Sequence, residues 1–113
     1  MISERVSELG VDPVVTTESA SQTPAVVEAG DYLNKLTGER IERECREYFA
    51  RGYKEVVVDF ASTETVNSVG ISILLGVIDS ASNAGAKVRF SGVKDSTIEL
   101  FEMLGITRHV TID

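Results

Sequence analysis

The sequence predicts an α/β domain built on a mixed sheet of four or five strands, with helices mainly on one side. Three observations carry that prediction. Strand-like and helix-like runs alternate from residue 23 onward. K-E-V-V-V-D-F at 54–60 has the β-branched run of a strand covered on both faces. The stretch from Ser68 to Ala84 is rich in apolar residues and closes on N-A-G, as a buried helix does. A chain of 113 residues suits one domain with a single core.

Residues 1–22 read as an N-terminal extension. Ile2, Val6 and Leu9 share a helical face before Gly10, and Pro13 opens P-V-V-T-T-E, a possible edge strand. S-A-S-Q then turns the chain back into T-P-A-V-V-E-A-G, a strand ending at Gly30. Thr37 is the expected cap of a helix whose buried face carries Ile41, Cys45, Tyr48 and Phe49, stopped by Gly52. The Val56–Val58 run follows as a strand in the sheet interior, then a loop over 61–67 and the helix from Ser68. K-V-R-F at 87–90 alternates as a strand does. S-T-I-E at 96–99 reads as a capping box with Ser96 as the cap and Glu99 reaching back. That helix carries Ile98, Leu100, Phe101, Met103 and Leu104 and stops at Gly105; H-V-T-I at 109–112 is the last strand.

Composition narrows the function classes. The net charge of −7 repels a phosphate backbone, which argues against nucleic acid as a partner. The longest apolar stretch, 71–78, is too short to span a bilayer, so no membrane insertion is expected. The acidic N-terminus lacks the basic and apolar regions of a signal peptide, which makes cytoplasmic residence the expectation. Cys45 is the only cysteine, which rules out an intrachain disulfide or a thiolate zinc cluster, and it reads as packed and inert. His109, the only histidine, reads as a strand or surface residue.

Catalytic motifs do not assemble. V-N-S-V-G at 66–70 resembles a nucleophile elbow, but Val66 stands where the strained turn needs glycine, and His109 would have to be the base. A small serine hydrolase is therefore a distant alternative. S-G-V-K at 91–94 lacks the partner motifs of S-x-x-K enzymes. There is no phosphate loop, dinucleotide glycine pattern or H-E-x-x-H, and Asp59, Glu64 and Asp95 read as solvated or capping acids rather than cation ligands. No metal, no cofactor and no enzyme activity are expected. In an α/β sheet the functional edge lies beyond the carboxyl ends of the strands. The 61–67 loop leaves that edge and delivers Ser68 to the first turn of a helix, where a plain cap and a displayed functional serine are both open readings.

D-F-A-S-T-E-T-V-N-S-V-G-I at 59–71 resembles the signature of STAS domains, the family of bacterial anti-sigma factor antagonists. G-D-Y-L-N at 30–34, N-A-G-A-K-V-R-F, and F-E-M-L-G-I-T-R-H-V-T-I resemble further segments of that family, so the resemblance spans residues 23–113. It implies a STAS-like single domain and a partner that is an anti-sigma factor with serine kinase activity. Ser68 would be the phosphorylation site that ends binding, and Asp59, Ser62, Glu64, Asn67, Ser68, Val69 and Gly70 the partner-binding residues. Three features depart from the family pattern. Asn67 replaces its usual aspartate, Thr63 and Thr65 stand where the loop is often apolar, and the chain ends at Asp113 where many relatives continue into a last helix. A STAS scaffold without a switch, a transporter-associated subunit, and a nucleotide- or lipid-binding domain are the alternatives.

Overall fold

The computed structural model describes residues 23–113. Within them run β1 (Ala25–Glu28), β2 (Tyr32–Leu33), α1 (Lys35–Ala50), β3 (Glu55–Asp59), β4 (Thr65–Val66) and α2 (Ser68–Asn83). β5 (Lys87–Ser91), α3 (Asp95–Met103), a 3-10 turn (Ile106–Arg108) and β6 (Thr111–Ile112) complete the order. The main sheet is β1-β3-β5-β6, and all its pairs are parallel. Each step to the next strand passes through a helix, and steps of one hand in one direction put the helices on one face. An antiparallel member of the expected mixed sheet would have to come from P-V-V-T-T-E, which lies outside the described residues, as does the expected N-terminal helix.

Strand alternation decides which side of the sheet is the core. Val27, Val58 and Phe90 align in register and are fully buried, and Ala25, Val56 and Val88 are buried on the same face. Over them sit Ile41 and Cys45 from α1, Ile71, Leu74 and Val77 from α2, and Phe101 from α3. Phe60, Phe90 and Phe101 pack in tilted and edge-on pairs at 5.1 to 5.9 Å. The expected interior position of Val56 to Val58 is met, but Val57 faces the other side, beside Val26 and Arg89. There Arg89 bridges Glu55 at 3.2 Å and Asp113 at 3.1 Å. Burial raises the Cys45 thiol from 9.0 to about 12, with Glu44 adding to the effect.

Several boundaries differ from the sequence expectation. The cap of α1 is Asn34, whose side-chain oxygen accepts from Thr37 N at 2.9 Å; Thr37 lies inside the first turn. Ser96 is likewise inside α3, whose cap is Lys94 without a side-chain cap bond. Backbone geometry decides this: Lys94 is extended, and its carbonyl accepts from Thr97 N and Ile98 N at 2.9 Å. The final strand is shorter than 109–112 because the 3-10 turn occupies 106–108 and His109 follows it. β2 and β4 had no strand signal, since two-residue strands are too short for alternation to register.

Candidate functional site: the paired helix entrances

β2 and β4 pair in parallel, Tyr32 with Thr65 and Leu33 with Val66, and form a separate two-stranded sheet. One residue beyond each strand is an asparagine that caps a helix. Asn34 opens α1, and Asn67 opens α2 by accepting from Val69 N at 2.7 Å. Asn67 N also donates to Leu33 O at 2.7 Å, which ties the second entrance to the first. Gly70 is buried at this junction: a Cβ there would lie 2.9 Å from both the Leu33 and Asn34 carbonyl oxygens. It supplies close packing beneath the surface rather than contact area.

The loop before Asn67 is held from two sides. Glu64 N and Thr65 N donate to Asp31 O at 2.8 and 3.2 Å, and the buried Thr63 hydroxyl donates to Gly30 O at 2.6 Å. From the other side Lys94 Nζ donates to Thr63 O at 2.8 Å and lies 3.5 Å from Glu64 Oε2. Lys94 comes within reach because Gly92, at φ 69°, packs against Ala61; a Cβ would stand 2.9 Å from Ala61 N. Asp59 accepts from Ala61 N at 2.9 Å and so shapes the turn that starts the loop. Ser62 and Glu64 are exposed.

Ser68 is therefore not the cap. It is the first residue of α2, exposed, with Asn67 already serving the orphan amide that a serine cap would serve. Val69 follows at 49% exposure, and at the matching place on α1 stands Leu36 at 75%; Tyr32 on β2 is exposed as well. Of the site residues expected from sequence, Asn67, Ser68, Val69, Ser62 and Glu64 reach the surface of one sheet edge, while Asp59 and Gly70 shape it. Asn34, Leu36 and Lys94 were missed. The repeat of Y-L-N-K-L in T-V-N-S-V was the available signal for the first two.

The pair a serine hydrolase would need is not together. His109 lines a cavity with Ala81 and Ser82, at the far end of α2 from Ser68. Fourteen residues of helix put Ser82 about 21 Å from Ser68, far beyond proton-transfer reach. Among the described residues no group of three or more His, Cys, Asp or Glu is placed to hold a metal. No helix among them is long and apolar enough to cross a membrane.

The STAS domain family model matches residues 14–113. The chain belongs to the STAS family. A search of the curated proteins found no match to the sequence. Solved structures show the same STAS fold at low identity. A crystal structure of TM1081, a candidate anti-sigma factor antagonist of Thermotoga maritima, is 15% identical at a TM-score of 0.64 over 77% of each chain. The NMR structure of TM1081 is 14% identical at 0.71, covering 100% of this chain and 90% of that one. The anti-sigma factor antagonist SpoIIAA in its unphosphorylated form is 13% identical at 0.66, over 80% and 82% of the two chains. Among the described residues this STAS domain thus has a four-stranded sheet plus a two-stranded one, with the paired helix entrances at the carboxyl edge.

Proposed function

We propose that this STAS domain is an anti-sigma factor antagonist without enzymatic activity, docking an anti-sigma factor with serine kinase activity through the paired helix entrances. Phosphorylation of Ser68 ends the docking. The observation that carries the reading is the exposed Ser68 at the first position of α2, relieved of capping by Asn67 and flanked by exposed Val69 and Leu36. Asp59, Ser62, Glu64, Asn67 and Val69 contact the partner or shape the surface that does.

The electrostatics support a switch at that position. A helix N-terminus tolerates an anion, and each charge there gains about 0.3–1 kcal/mol at an exposed site. A phosphate brings about −1.5 to −2 charges, which must be desolvated under a docked partner without a cation built to receive them. Glu64 adds repulsion, only partly offset by Lys94 at 3.5 Å. The modification leaves the fold intact and breaks the interface. Asn67 in place of aspartate removes a carboxylate beside the acceptor; because phosphoryl transfer rests mainly on positioning and on the kinase's own groups, the rate falls but the target stays.

Titration calorimetry against a neighbouring anti-sigma factor kinase tests the reading. Wild type and Ser68→Ala bind alike, and Ser68→Glu binds more weakly; equal binding by all three contradicts it.

A further inference from the structure

At the opposite end of α2 the domain carries a second concave feature. A cavity of about 400 Å³ lies between the last turns of α2 and the segment around His109. Ile78, Ala81 and Val88 give it an apolar floor, and Asp79 and Ser82 stand on its α2 wall. A shallower cavity of about 440 Å³ adjoins it, sharing Val88 and His109, and is lined by Lys87 and Arg108. The two form one groove with charges of opposite sign at its ends.

Both ends have a physical reason for their sign. Asp79 sits near the carboxyl end of α2, where the helix presents its negative pole, and no basic residue occupies the last turn. At the other end Arg108 of the 3-10 turn supplies the positive charge, while Lys87 lines the second cavity from the start of β5, on the opposite sheet face from Val88. Among the described residues Asp79, Lys87 and Arg108 have no ion-pair partner, unlike Arg89, which is shared by Glu55 and Asp113. The volume is that of a site for a small molecule, and an apolar floor with a few polar groups at its rim is the usual form of one.

We propose that this groove binds a small zwitterion with an apolar body, of the size of a dipeptide. Its ammonium lies toward Asp79 and Ser82, its carboxylate toward Arg108, and its side chains on Ile78, Ala81 and Val88. This site is independent of Ser68 and of any anti-sigma partner.

The experiment is an amide-resolved NMR titration with leucyl-leucine, its N-acetyl form and its C-terminal amide. Leucyl-leucine should give saturable shifts at 78–82, 87–89 and 107–110, with either masked form about tenfold weaker. Asp79→Asn should weaken leucyl-leucine but not the N-acetyl form; Arg108→Gln should weaken leucyl-leucine but not the amide. Equal binding of the three compounds would overturn the zwitterion in favour of a merely apolar groove. No saturable shift at millimolar concentration, or shifts confined to the Ser68 end, would overturn the site itself.

Discussion

Asn34 and Asn67 stand one residue past the paired Leu33 and Val66, and each folds its side-chain oxygen back onto the helix it opens. The two entrances are cross-tied by the Asn67 N to Leu33 O bond of 2.7 Å. Capping and display are thereby divided between neighbours: Asn67 caps the start of the helix and Ser68 faces the solvent.

Thermal unfolding reads that division. Asn67→Ala should lose a cap and about 1 kcal/mol, a Tm fall of several degrees in a domain this size. Ser68→Ala should leave Tm within about 1 °C, since no cap bond is lost. Asn67→Asp should retain the cap and gain from the positive helix end.

Two glycines on α2 should answer alanine with opposite signs. Gly70→Ala drives a Cβ to 2.9 Å from two backbone carbonyl oxygens and should cost about 1–3 kcal/mol. Gly76 would meet only the end of the Glu42 side chain, at 3.7 Å, so Gly76→Ala should stabilise by about 0.5–1 kcal/mol. Urea unfolding of both variants checks the pair.

Aspartate at adjacent strand positions should separate the two sheet faces. Val58 is fully buried between Val27 and Phe90, and Val58→Asp should cost more than about 4 kcal/mol. Val57→Asp puts its carboxylate beside Arg89 on the other face and should unfold at clearly higher urea than Val58→Asp.

Cys45 should be silent to a thiol reagent at pH 8 in the native protein and react on unfolding, since burial holds the thiol up at about 12. A raised folded pKa contributes stability that is present below pH 9.0 and lost as pH rises toward 12. Cys45→Ala should flatten that part of the stability-against-pH curve.

Much of this fold is legible in the residues, because Val56–Val58 and the 68–83 run bury enough apolar surface to impose their periodicity. What escaped was set by tertiary contacts. Val57 reads like its neighbours, yet only the register with Val26 and Arg89 tells which face it takes. Thr37, Ser68 and Ser96 all have cap chemistry, but the caps fell to the residues whose backbone is extended where the helix begins: Asn34, Asn67 and Lys94. The site loop was legible as the edge that displays Ser68. That it is held by Asp31 and Lys94 was not, since the 31–64 and 63–94 contacts leave no local pattern.

Phosphosite mapping tests the switch most directly. The protein is incubated with a cognate anti-sigma factor kinase, ATP and magnesium, and the modified residue is located by mass spectrometry. The expected result is phosphate on Ser68 alone, none on Ser68→Ala, faster labelling of Asn67→Asp, and loss of kinase binding by the modified form. Thr63 should stay unlabelled, because its hydroxyl is buried and donated to Gly30 O. Phosphate on Thr65 in place of Ser68, or none even on Asn67→Asp, would contradict the account and make the domain a scaffold without a serine switch.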